Sequence, residues 1–180
     1  MVCNFLNPMI ASFIAAGLMV CTRCVSASSA RKSIEWQVLI TIAAAFGVGN
    51  AIQTSTLGNI AAQAIVAITH QWGPHATLAA VYITTVLVTE VITNNAAAVL
   101  MFPLCLQTAT VLGVQERPFI IALALAASAS FASPVGYQTN MMVYGPGGYR
   151  FTDFLRIGLP LNILLCVVAI VGIPYIWPFN

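Results

Sequence analysis

The segment Thr89-Glu90-Val91-Ile92-Thr93-Asn94-Asn95 sets five hydrogen-bonding side chains between two apolar runs, Ala76 to Val88 and Ala96 to Leu106. Hydroxyl, amide and backbone oxygens together can replace the water shell of a sodium ion, and the same amides can hydrogen-bond an anion. In hydrocarbon such groups cost several kcal/mol unless they bind something, and an intramembrane carboxylate costs more. The segment therefore reads as the tip of a membrane hairpin that carries an ion and substrate site. The competing reading is two ordinary helices joined by a surface turn, for which Asn94-Asn95 is suitable chemistry. Against a surface turn stand Glu90, with no basic residue near it in sequence, and the lack of any Lys or Arg in the turn. Glu90 has two possible roles, a structural carboxylate hydrogen-bonded to the other arm or a direct ion ligand.

A second polar interruption lies at Ser133-Pro134-Val135-Gly136-Tyr137-Gln138-Thr139-Asn140. Proline and glycine break an apolar pattern there and leave backbone carbonyls unpaired beside hydroxyl and amide side chains. Unwound backbone is tolerated at membrane depth only where it is buried in protein or lines a cavity. An external loop is the plainer alternative.

Composition supplies the setting for both. The chain of 180 residues is 60% hydrophobic and 6% charged, with six Lys/Arg, four Asp/Glu and a formal net charge of +2, and its mean hydropathy is +0.95. Soluble domains carry roughly 25% charged residues, so this is an integral membrane protein with the lipid bilayer as partner. The basic residues are scattered, which excludes a nucleic-acid stripe, and no phosphate-binding glycine loop is present. Five cysteines, Cys3, Cys21, Cys24, Cys105 and Cys166, read as small packing residues. The Cys21/Cys24 pair has neither a second pair nor a neighbouring His to make a metal site. The first apolar stretch lacks the basic flank of a removable signal peptide.

The elements that must position the two polar segments follow in order. Phe5 to Cys21, opened by Asn4, Asn7 and Pro8, is about span length. Thr22 to Glu35, with Arg23, Arg31 and Lys32, lies outside the hydrocarbon, and its serines at 26, 28, 29 and 33 offer caps for a short surface helix. Trp36 to Ala51 is a second span, where Gly47-Val48-Gly49-Asn50 would let the helix bend or stop. In Leu57 to Trp72, the residues Leu57, Ile60, Ala61, Ala64, Ile65 and Ile68 share one helical face, which suits a helix lying along the interface. A flat helix puts five basic residues (23, 31, 32, 150 and 156) opposite Arg117 alone, satisfying the positive-inside rule, whereas a span divides them evenly. Gly73-Pro74 breaks the chain before a hairpin over 75–112, whose second arm Pro103 would kink. Pro118 starts a helix, and the stretch 118–148 reads as a broken helix rich in Ala and Ser. Gly145-Pro146-Gly147-Gly148 turns the chain into a last span, Ile157 to Trp177.

The sequence resembles the second half of divalent anion:sodium symporters, within the wider group of citrate-transporter-like and arsenite-pump-like ion transporters. The resemblance runs from Arg31-Lys32-Ser33-Ile34-Glu35-Trp36 onward, and is strongest from Thr89-Glu90 to Pro103 and over Ser133 to Asn140 with Met141 to Gly145. It implies one inverted-repeat half of an all-α, multi-pass secondary transporter of the plasma or inner membrane, with a re-entrant helical hairpin and a broken transmembrane helix. In that family, hairpin tips with a Ser-Asn-Thr motif and proline-containing breaks hold sodium and a dicarboxylate or sulfate. By resemblance, Thr89, Ile92, Thr93, Asn94 and Ala132 are ion-binding, with the sodium site centred on Thr89 and Asn94. Asn95, Ser133, Pro134, Thr139 and Asn140 are correspondingly substrate-binding. Here the tip motif is Thr93-Asn94-Asn95, and the break carries Gly136-Tyr137-Gln138-Thr139 as extra residues, as in sulfate-type permeases. Sodium is the coupling ion, and no other cofactor is expected.

One hairpin and one break would supply one of two sodium sites and half of the substrate pocket. The missing first repeat, or a second copy in a homo-oligomer, is then the expected partner. The alternatives are a proton-coupled or efflux antiporter of the same fold, with Glu90 titrating, and an inactive partner subunit or fragment. An enzyme is not expected, because no nucleophile and base are paired. His70 and His75 read as interfacial.

Overall fold

The computed structural model describes residues 8–179, all of whose regular structure is helical. Two compact units divide within the third helix, at Leu39/Ile40. In the first, α1 (Pro8–Cys21) is followed by the short α2 (Ala27–Lys32), capped by Ser26, whose hydroxyl accepts from Ser29 N at 3.2 Å. One of the four serines expected to cap this segment thus does so. Cys21 and Cys24 stand exposed rather than packed. Asn4 to Asn7 and Cys3 lie outside the described residues, as does the side chain of His70.

Helix α3 (Trp36–Thr54) runs straight through the glycines expected to end it. Part of the reason is visible at Gly49, where a Cβ would sit 3.1 Å from Pro103 Cγ, so this glycine admits a neighbour. Next, α4 (Thr56–Thr69) leads through a 3-10 turn to α5 (Pro74–Thr89). The packed stripe of α4 is Gly58, Ala62, Val66 and Thr69, while Ile60 and Ile68 of the expected apolar face point outward. Close contact between helices in an apolar surround favours small residues, and lipid accepts the large ones.

Helix α5 begins at Pro74 after Gly73 in a positive-φ conformation (φ 79°). It ends at a four-residue turn, 90–93, from which α6 (Asn94–Leu112) leaves with Thr93 as N-cap and Gly113 (φ 72°) as a left-handed stop. Arg117–Ala127 forms α7, with Pro118 in its first turn as expected. An unwound stretch, 128–137, separates it from α8 (Gln138–Tyr144), and α9 (Phe151–Ile176) closes the chain. The break thus opens five residues before Ser133, and 138–140 are already helical.

The core is where α5, α6, α7 and α9 meet. Leu78, Val81 and Tyr82 pack with Met101, Cys105 and Ala109, with Phe119, Ala122, Leu123 and Ala126, and with Ala169 and Ile173. Alanines on three of these helices let the backbones approach. The threonine hydroxyls buried in this apolar mass are bonded: Thr85 and Thr108 donate to the carbonyl four residues back, and Thr69 pairs with Thr77 at 2.7 Å. At the open end of the α5–α6 pair, the Phe179 ring lies against His75 (5.1 Å) and Phe119 (6.0 Å), and its carbonyl accepts from Gln115 N. Among the described residues, two helices, α6 and α9, are long and apolar enough to cross a membrane by length and composition.

Candidate functional site

The α5–α6 turn and the 128–137 break are brought together, as the two polar interruptions of the sequence require. Thr89, the last residue of α5, is fully buried, and its hydroxyl donates to Ala127 O at the last turn of α7 (2.9 Å). Beside it, at 2.9 Å, stands the amide of Asn94, the first residue of α6. That amide can be seated in two ways. With nitrogen inward it donates among Thr89 Oγ1, Gly136 O (3.0 Å) and Ala127 O (3.2 Å). With oxygen inward it would face Thr89 Oγ1 and the two carbonyls, so that four oxygens converge with the single Thr89 proton shared between Asn94 and Ala127 O. Such a convergence is stable only around a cation or a bound donor.

Glu90 is the second link. Its Oε1 accepts from Ala132 N (2.9 Å) and from Asn162 Nδ2 (2.8 Å), and its Oε2 lies 3.4 Å from Ser130 Oγ, which is shared with Thr89 O at 3.2 Å. Its backbone carbonyl accepts from Ser133 Oγ (2.8 Å), which in turn accepts from Gly136 N (3.2 Å). The carboxylate is therefore hydrogen-bonded as a structural group, but to the break and α9 rather than to the other arm of the hairpin. All three of its side-chain partners are neutral donors.

Gly136 and Gly158 make this proximity possible. A Cβ on Gly136 would run into Ser130 Oγ and Thr89 O, and one on Gly158 would run into the Phe131 carbonyl. Asn140, from the first turn of α8, donates its amide to Ser130 O and Ser133 O (3.2 Å each), satisfying carbonyls that the unwinding exposes.

Of the residues expected to bind an ion, Thr89 and Asn94 are in contact, Ala132 is tied to them through Glu90, and Ile92 sits in the turn with its N–H on Val88 O. The Thr93 hydroxyl caps α6, accepting from Ala96 N at 3.4 Å. Of the substrate set, Ser133 and Pro134 are buried in the break and Asn140 is bonded within it, whereas Asn95 and Thr139 are exposed. Sequence reading placed Gly136 in the break without giving it a role of its own, and missed Ala127, Ser130 and Asn162. Asn162 carried a usable signal, as an amide inside an apolar span, which marks function by default. Backbone carbonyls carry none. A separate cleft of about 670 Å³ lies between α8 and α9, lined by Tyr149, Phe154 and other mainly apolar groups; it shares Phe131, Asn140 and Gly158 with the site but not Thr89 or Asn94.

The family model for citrate transporters matches residues 1–117. The chain belongs to the citrate transporter family. Its curated relatives agree. It is 38% identical over 173 residues to an uncharacterized transporter, YfbS, of Escherichia coli K12, covering 96% of this chain and 28% of that protein. It is 41% identical over 160 residues to probable sodium/sulfate cotransporter 3 of Chlamydomonas reinhardtii (88% of this chain, 18% of the relative), and 40% identical over 157 residues to sodium/sulfate cotransporter 1 of the same alga (87% and 18%). The chain thus spans between 18% and 28% of the length of these relatives. Membership of the citrate transporter family places it among integral-membrane transport proteins rather than enzymes.

Proposed function

We propose that this chain forms one half of a multi-pass secondary transporter that carries a divalent anion together with sodium, with the hairpin tip re-entering the membrane to meet a broken transmembrane helix. The observation that carries the reading is the cluster in which the Asn94 amide stands 2.9–3.2 Å from Thr89 Oγ1, Gly136 O and Ala127 O, three oxygens held around one reversible amide. It contains no charged group, which suits sodium, an ion that neutral oxygens can desolvate. In the ion-free state the Asn94 nitrogen turns inward and holds the tip to the break; sodium entry turns the oxygen inward instead. Carbonyls of Ile92 and Ala132 complete the shell.

Bound sodium then provides the positive field that a dianion needs in a pocket without Lys or Arg. Sulfate is the favoured substrate class, supported by the names of the Chlamydomonas relatives; a dicarboxylate is the second. Asn95, Ser133 and Pro134 would meet it, with Thr139 and Asn140 at the margin. A proton-coupled version would need Glu90 exchanged between states, yet its carboxylate already faces three donors. Glu90→Gln is therefore expected to weaken transport without abolishing its sodium dependence.

The test is uptake of radiolabelled sulfate and succinate into proteoliposomes, with and without an inward sodium gradient. Sodium-dependent sulfate uptake that Asn94→Ala abolishes is the expected result. Uptake equal in sodium and potassium would overturn the coupling, and no uptake would assign transport to the longer assembly only.

A further inference from the structure

We propose that Asn162, midway along α9, is a positioning residue for the ion site: acting through the Glu90 carboxylate, it sets the register of the 128–137 break against the hairpin tip. This rests on the sodium reading above and adds to it an element that contributes no ion ligand.

Two independent contacts from α9 converge on a single peptide unit. Asn162 Nδ2 donates at 2.8 Å to the same Glu90 Oε1 that accepts from Ala132 N at 2.9 Å. One turn earlier on the same helix face, Gly158 lies so close to the Phe131 carbonyl that a Cβ could not fit. Phe131 C=O and Ala132 N–H are the two ends of one planar peptide. Helix α9 therefore holds the C=O end by contact and the N–H end through Glu90. Fixing that plane fixes the direction from which the next carbonyl, that of Ala132, departs, and this carbonyl is one of the expected sodium ligands.

The chemistry of Asn162 supports a purpose beyond packing. From Ile157 to Ile173 it is the only amide or charged side chain in an apolar helix, and a polar group persists there only with a partner. Its partner is an acid 72 positions away in sequence, and the bond is short and charge-assisted. Outer groups that orient ligands commonly set ion affinity as strongly as some ligands do.

The test compares wild type, Asn162→Asp, Glu90→Gln and the double swap Glu90→Gln/Asn162→Asp. Hydrogen exchange of the 128–137 segment is followed in detergent as sodium replaces potassium, alongside thermal unfolding. Asn162→Asp sets two carboxylates against each other and is expected to raise the sodium concentration for half-maximal protection about tenfold or more. The swap removes the like-charge clash and offers the introduced carboxylate at position 162 a donor from the amide at position 90. Because one Glu90 oxygen serves both Asn162 and Ala132 N–H, the two bonds can no longer share an atom, so the midpoint should return only part of the way, clearly below that of Asn162→Asp. A swap no better than Asn162→Asp, or an unmoved midpoint with a lowered melting temperature, would show a merely structural contact and overturn the proposal. If wild type itself responds equally to both cations, the sodium reading fails; the positioning role is then judged from sodium-free exchange of 128–137, faster in Asn162→Asp and partly restored in the swap, with equal rates overturning it. Where Asn162→Asp does not accumulate, Asn162→Ala removes the donor without adding charge and is read by the same criterion.

Discussion

At the scale of single residues, the site separates side chains that hold the tip to the break from those that face outward. Thr89 belongs to the first kind. Thr89→Ala leaves Ala127 O without its donor in a fully buried position, which should lower stability by about 1–3 kcal/mol and remove sodium protection in thermal unfolding, whereas Thr89→Ser should retain both. Asn95, one residue beyond Asn94 but exposed, should behave oppositely: Asn95→Thr is expected to change stability by no more than about 0.5 kcal/mol while shifting the ratio of sulfate to succinate uptake. Thr89 and Asn94 were legible because polar residues in so apolar a chain have few reasons to exist. Asn162 carried the same signal, but a single amide in a long span is less conspicuous than five polar groups in seven residues. Ala127 takes part through a backbone oxygen, which every residue has, so no side-chain pattern names it, whereas Gly136 lies in the proline–glycine interruption that marked the break.

At the scale of elements, punctuation was readable and packing was not. Gly73-Pro74, Gly113 and Pro118 bound α5, α6 and α7 where the chain needs a positive φ or a fixed one. Gly47 and Gly49 look like similar punctuation, yet α3 passes through both; Gly49 serves close approach to Pro103, and nothing stands against Gly47. Helix α4 shows the same limit: its large apolar residues define a face in sequence, and its small ones define the face that packs. Gly158 and Gly172, both in α9, separate the two uses experimentally. Gly158→Ala must push α9 away from the Phe131 carbonyl and should cost about 1–3 kcal/mol, seen as a lower melting temperature with weaker sodium protection. Gly172→Ala meets open space and should be neutral or stabilising by at most about 1 kcal/mol.

For the whole molecule, the apolar residues along α9 that face away from its core are numerous, with Ile157, Val171 and Tyr175 more than two-thirds exposed. Lipid or another polypeptide covers such a surface in a membrane protein. If two copies of this chain make one working site, reconstitution of wild type with an equal amount of Asn94→Ala should leave about a quarter of the sodium-dependent uptake, against about half if each copy acts alone. Such measurements depend on how the protein is handled, and here the Phe179 contacts matter. Its ring is wedged between His75 and Phe119 and its carbonyl holds Gln115 N–H, so an affinity tag or fluorescent fusion joined after Asn180 would pull directly on the base of the hairpin.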